Sequence, residues 1–169
     1  ITGYGAVPPA IGVDFFEGPY QDNDGIDNAF GIGPGEALNG IGYGDMIIDN
    51  ERFGMRRFVY YDNSPGNNGD PSSATHYYNY LKGLWKNGAP MLFGGNGFNA
   101  GTTTLETDFM FPGESDTLNW GTGGIDPGIL WSEVAADNAP NDRRFVQSAG
   151  PFVLVPGAVN NITVGVVYA

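Results

Sequence analysis

Apolar residues fall in short runs separated by glycine, proline and asparagine, and one segment alone carries helical spacing. Residues 52–61 (RFGMRRFVYY) are rich in aromatic and β-branched side chains and predict a strand. Residues 105–111 (LETDFMF) alternate and then turn apolar, as a half-buried strand does. RFVQS, PFVLV and NITVGVVY near the end read as three further β runs. The last two flank Pro156-Gly157, so Phe152–Val155 and Ile162–Tyr168 are expected to pair as antiparallel neighbours. In the final run Ile162, Val164, Val166 and Tyr168 share one face, which places Val164 on the core side.

The helix is expected over about 70–86. Asp70 suits its N-cap and Pro71 its first turn, while Tyr77, Tyr80, Leu81 and Leu84 recur at helical spacing. Gly83 would weaken the interior by roughly 1 kcal/mol relative to Ala, and Gly88 would close it. Residues 1–13, with Pro8 and Pro9, read as an extended lead-in. Residues 62–73, 89–104 and 112–142 read as loops. No internal repeat is visible. The expectation is an all-β fold: a β-sandwich of antiparallel strands with long glycine-rich loops and one short helix, in a single domain over 1–169.

Composition limits the function classes. The 28 glycines and 12 prolines demand many turns, yet 41% hydrophobic and 14% aromatic residues exceed what a disordered tail carries. Nineteen acids against seven bases give a net charge of −12, which phosphate backbones and anionic lipids repel. Nucleic-acid binding and membrane insertion are therefore not expected. Without cysteine there is no disulfide framework, thiol catalysis or zinc–thiolate site. The chain begins at Ile1 with no signal peptide, and both ends read as cut from a longer, processed protein.

Nine acids and eight glycines crowd residues 14–51, a stretch with no periodic apolar face. Something other than a core must order it. Asp22-Asn23-Asp24-Gly25-Ile26-Asp27-Asn28 offers carboxylates at close spacing with a glycine to curl the chain, as calcium requires of six to eight oxygen ligands. It is not an EF-hand, since Gly33 stands where that frame has glutamate. Asp22, Asp24 and Asp27 are the candidate calcium ligands, with Asp49 and Glu51 as further ones; Asp14 and Glu17, just upstream, are secondary candidates that read singly as surface charges. The alternative is a solvated turn that uses Asp and Asn as turn formers.

Other chemistry is sparse. His76 is the only histidine, so it reads as a structural helix residue. Two carboxylates at glycosidase spacing cannot be picked out of nineteen acids. GGNGF lacks the lysine of a phosphate loop. The adjacent pairs Arg56-Arg57 and Arg143-Arg144 lie on predicted strands, so one arginine of each is expected to turn toward a carboxylate. Tyr77, Tyr78, Tyr80, Trp85, Trp120 and Trp131 either fill the core or stack on sugars.

The blocks DFFEGPYQDNDGIDN, YGDMIIDNERFGMRRFVYY, YYNYLKGLWKNGAPMLFGGNGF, FMFPGESD and NDRRFVQSAGPFVLVPGAVNNITVGVVYA resemble large secreted and cell-surface proteins of the Bacteroidota. DRRFVQSAGPFVLVPG is the most specific of them. Such proteins often end in a type IX secretion sorting domain, which this sequence lacks. The resemblance implies a non-catalytic segment in an extracellular or cell-surface setting. It also implies an O-glycosylation acceptor, since Asp116-Thr117-Leu118 matches the short acceptor pattern of those proteins and would make Thr117 the modified residue. Asn161-Ile162-Thr163 fits N-glycosylation, but a bacterial source speaks against that route. Two functions follow: a calcium-stabilised structural or interaction module whose partners are subunits or domains of a surface assembly, or a carbohydrate-binding module whose partners are glycans.

Overall fold

The computed structural model describes residues 9–32, 36–37, 39–101, 103–139 and 141–168. Most of the lead-in (residues 1–8) and Gly33 lie outside the described residues. Six short strands and one helix follow in chain order: β1 Ile11–Glu17, β2 Gly40–Ile41, β3 Arg52–Phe53, β4 Arg57–Asp62, α1 Ala74–Leu81, β5 Arg143–Ser148 and β6 Thr163–Tyr168. The architecture is mainly β. The strands form three two-stranded antiparallel sheets, β1–β6, β2–β3 and β4–β5, none of them a closed barrel. The packing divides into two compact units. One holds the described residues up to Met55 and from Ala149 onward; the other is Arg56–Ser148.

The second unit carries the apolar core. β4 and β5 pair from Arg57↔Ser148 to Asp62↔Arg143, and alternation buries Val59 and Tyr61. Around them close Tyr80, Trp85, Met91, Phe93, Met110 and Trp131. Of the six aromatics weighed above, Tyr80, Trp85 and Trp131 are core residues, whereas Tyr77 and Tyr78 are exposed on α1. The 105–111 run forms no strand: Glu106 bridges Leu92 and Phe109 bridges Phe58, one residue pair each.

The helix is shorter than 70–86. Ser73 is the N-cap, its Oγ accepting the His76 N–H at 3.3 Å. Asp70 is turned away, with its carboxylate 2.6 Å from Arg144. At the other end Gly83 adopts φ +72°, and its N–H donates to the Tyr80 carbonyl at 3.0 Å. Gly83 is thus the left-handed terminator and not an interior glycine. This reverses the sign of a substitution. A Cβ at Gly83 would lie 2.7 Å from Arg57 Cδ in a backbone region L-residues avoid. Gly83→Ala is expected to cost about 1–2 kcal/mol, read as a fall in melting temperature. Lys86, beyond the helix, is buried and donates from Nζ to the carbonyls of Pro65 and Asp70 at 3.1 and 2.9 Å, while the Tyr80 hydroxyl donates to Gly69 O. These bonds order the 62–73 loop.

In the first unit β6 pairs with β1, from Ile11↔Tyr168 to Glu17↔Thr163 with a bulge at Phe16. The expected hairpin of 152–155 with 162–168 does not form. Pro151 and Pro156 lack N–H groups, and the Val153 N–H goes to the Asp22 carboxylate at 2.8 and 3.0 Å. The Pro156-Gly157 turn is real, with Ala158 N–H donating to Val155 O at 3.0 Å and Gly157 at φ +85°. Val164, Val166 and Tyr168 do share a face, but Val164 is 46% exposed, so no buried-charge penalty attaches to it.

Candidate functional site

The acidic window is built on hydrogen bonds in place of a core. Asp and Asn have short polar side chains that reach nearby backbone N–H groups, which is why they favour turns over regular elements. Asp24 Oδ1 accepts from Ile26 N–H at 3.0 Å, and its Oδ2 accepts from Asn28 Nδ2 at 3.0 Å. Asp49 Oδ1 accepts from the N–H groups of Asp24 and Gly25 at 2.8 and 2.9 Å. Glu51, only 2% exposed, accepts the Asn28 N–H at 2.6 Å. Asp27 accepts from Gly44 N–H at 2.8 Å and from Met46 N–H at 2.6 Å.

Of the five leading candidate calcium ligands, Asp24 and Asp49 are brought together. Asp22 turns to Val153, Asp27 to the 44–46 turn, and Glu51 inward to Asn28. Among the described residues no group of three carboxylate or histidine side chains has metal-holding geometry. A carboxylate offers about four lone-pair sites, so accepting an N–H and ligating a cation are compatible roles for Asp24 and Asp49.

These bonds display an apolar tip. Met46, Ile47 and Ile48 are all exposed, Met46 at 91%, and Met46 and Asp49 hold φ of 72° and 58°. A left-handed conformation at a non-glycine residue costs of order 1–3 kcal/mol. Asp27 supplies the offset by bonding Met46 N–H, and Asp45 by bonding Ile47 N–H at 2.9 Å. The tip is thus a fixed projection.

The sequence reading missed Arg52. Its Nε donates to Gly18 O at 2.9 Å and its Nη2 to Asn161 O at 2.6 Å, while its guanidinium sits 4.2 Å from the Tyr20 ring centre. One arginine thereby ties three segments. The signal was its isolation: it is the one Lys or Arg in residues 1–55 and 149–169, against nine acids.

In the second unit Arg57 clamps a carboxylate, as expected of one arginine in its pair, whereas both Arg143 and Arg144 do so, one more than expected. Arg57 Nε lies 2.9 Å from Asp108, Arg143 lies 3.7 Å from Asp62, and Arg144 bridges Asp70 and Asp142. Burial pushes the Asp108 carboxyl up despite the opposing charge of Arg57, so desolvation outweighs the pairing there. An open cleft of about 580 Å³ is lined by Tyr60, Glu133, Asp137, Asn138 and Arg143, among others. Tyr60 donates to Glu133 at 2.7 Å, and burial, helped by that bond, pushes its phenol up to about 12. A phenol raised in the fold stabilises it below the unfolded value near 10. That contribution is lost as pH rises through about 12. Burial raises the phenols of Tyr61 and Tyr80 as well, so absorbance titration should show several late phenols, of which Tyr60→Phe removes one; an unchanged titration would contradict the assignment.

His76 stands at the start of α1 with Nδ1 3.3 Å from Ser72 N, a local capping contact. Thr117 is exposed beside Asp116, whose carboxylate accepts from Trp120 and Gly121 N–H at 2.7 and 2.8 Å and caps a 3-10 turn at Trp120–Thr122. No protein family, curated protein or solved structure matches the chain. Fold and site together define a mainly-β chain with an aromatic core in one unit and a carboxylate-ordered, apolar-tipped surface in the other.

Proposed function

We propose that the protein is a non-catalytic structural and interaction module of an extracellular or cell-surface protein, exported by type IX secretion and stabilised by calcium. The observation that carries this reading is the fixed apolar tip. Met46–Ile48 are held out in solvent by hydrogen bonds to Asp27 and Asp45, at a cost in backbone strain that folding alone does not need. Asp27 and Asp45 bond the backbone of the tip and Asp49 follows it, so the fitting partner is another protein with an apolar pocket and basic groups beside it. A β-sandwich belongs to the same reading, because a ribbon with an apolar face is half of a sheet-on-sheet layer.

A photo-crosslinking residue in place of Met46, in protein displayed on its native cells, should capture a distinct polypeptide. Recovery of no adduct would overturn the reading. Calcium would draw on Asp24, Asp49 and neighbouring loop oxygens. At 100 times its dissociation constant it adds about 2.7 kcal/mol, which chelation should abolish and Asp24→Ala should remove. Identical melting curves with chelator and with millimolar calcium would strike calcium from the proposal. Glycosylation at Thr117 would raise the intact mass above the 18.0 kDa of the bare chain.

The second reading, a carbohydrate-binding module, is favoured by Tyr77 and Tyr78, adjacent and exposed on α1. Selective retention on a glycan array, lost in Tyr78→Ala, would establish it in place of the first.

A further inference from the structure

The β1–β6 ribbon has two unlike faces. Directly opposed residues of an antiparallel pair share a face. Ile11, Val13 and Phe15 therefore lie with Tyr168, Val166 and Val164, and none of the six is charged. The reverse face carries Gly12, Asp14 and Val167, with the Phe16 ring folded over Gly165. On the uncharged face Tyr168 is 76%, Ile11 69% and Val166 68% exposed. That amounts to an apolar patch on the order of 600 Å², the upper end of what a monomer shows. A two-stranded ribbon alone is marginal in water, and sheets gain stability by packing a face against a second layer about 10 Å away.

We infer that the second layer is the same face of another copy of this chain. Two such patches bury about 1,200 Å² together, the lower end of a specific interface. Identical faces meet across a two-fold axis, so an apolar face is complementary to itself. Charge selects this face over the rest of the unit. Residues 1–55 and 149–169 carry nine acids and one arginine, a net −8, which holds copies apart wherever carboxylates would meet. Asp14 points to the reverse face, and Glu17, at the ribbon end, is occupied by Thr163 Oγ1 at 2.9 Å. The remaining repulsion acts through solvent, where the screening length is about 8 Å at physiological ionic strength. Self-association therefore tightens with salt, the opposite of what a basic partner would give.

This inference goes beyond the interaction-module reading and stands on a different surface from the Met46–Ile48 tip. Sedimentation equilibrium of the purified chain tests it. The expected species has twice the 18.0 kDa chain mass. Its dissociation constant should lie between about 1 and about 100 µM, as suits a small interface. Raising NaCl to about 0.5 M should tighten it several-fold. Val166→Lys should weaken it at least about 30-fold, while Val167→Lys on the reverse face leaves it within about twofold. The chain has no cysteine, so single replacements report cleanly. A bifunctional maleimide long enough to span layers about 10 Å apart should link Val166→Cys chains in pairs and leave Val167→Cys chains unlinked. A monomer at about 100 µM in both salts, weakening by salt, or equal effects of the two lysines would overturn the inference. A monomer that still crosslinks through position 46 removes the dimer alone; a dimer without such crosslinks removes the interaction reading alone.

Discussion

Trp85→Ala is expected to cost the second unit about 3–5 kcal/mol, against a typical total of 5–15 kcal/mol. Trp85 is fully buried. Its ring meets Tyr80 and Phe98 edge-on at centroid distances of 6.0 and 6.1 Å. Its indole N–H donates to Gly97 O at 2.9 Å, and a Cβ on Gly97 would stand 3.0 Å from the ring. Truncation therefore opens a cavity beside a glycine that cannot fill it and removes one of the two donors on the Gly97 carbonyl, which keeps the Leu92 N–H at 2.8 Å. Trp85→Phe keeps the aromatic contacts and loses the hydrogen bond, so it should cost less than half as much. Urea unfolding followed by far-UV circular dichroism measures both. A midpoint unchanged in Trp85→Ala would show that this ring is not the centre of the core.

Asp27→Ala is expected to release the apolar tip. Two charge-assisted bonds disappear, at 2.8 and 2.6 Å, each worth about 1.5–3 kcal/mol, with water recovering part of that at a half-exposed site. Met46 then has no reason to keep φ at 72° and should relax. The net loss should be about 2–4 kcal/mol, confined to the 44–49 turn. Hydrogen exchange resolves this: the Met46 amide should lose protection, while the Gly44 amide, which also donates to Asn28 O at 2.9 Å, and the Asp24 and Gly25 amides, held by Asp49, keep theirs. Full protection at Met46 in Asp27→Ala would mean that the turn is held by something else. Asp27→Asn retains a single acceptor oxygen and should fall between the two.

Much of this organisation was legible along the chain. β4, β5 and β6 fall on runs of β-branched and aromatic residues, whose stiff side chains suit a pleated backbone, although the single strand expected over 52–61 breaks at 54–56 into β3 and β4. The 62–73 stretch is a loop apart from Asp62, which ends β4, as its asparagines, glycines and prolines require. Alternation along β5 sends Arg143 to Asp62 and Arg144 to Asp70, so both faces of the strand find a carboxylate, where one was expected. The lack of a core in residues 14–51 was also visible, and with it the need for another ordering device. The helix ends were harder. Asp70 and Ser73 are both good N-caps, and Gly83 and Gly88 both good terminators, so local chemistry allowed two registers. The Arg144–Asp70 pair and the loop carbonyls bound by Lys86 chose between them.

What the amino-acid order determined by itself is therefore local: strand propensity, turn chemistry, capping options and the acidity of one stretch, each set by neighbours a few residues apart. Tertiary structure alone decided which groups meet across the chain. β6 could pair with the run before it or with β1, and nothing within either strand distinguishes the two. The Val153 N–H, taken by an Asp22 carboxylate 131 residues away, withdrew the nearer partner. The same distance effect hid the role of the aspartates. A carboxylate in a sequence is only an acceptor; whether a cation or a backbone N–H faces it depends on how Gly44, Met46 and Asp49 fold over the 22–28 loop. Exposure follows the same logic, because a strand's apolar face is buried only if another layer covers it. Val164 and Val166 carry the pattern of a core face and stand in solvent within one copy of the chain.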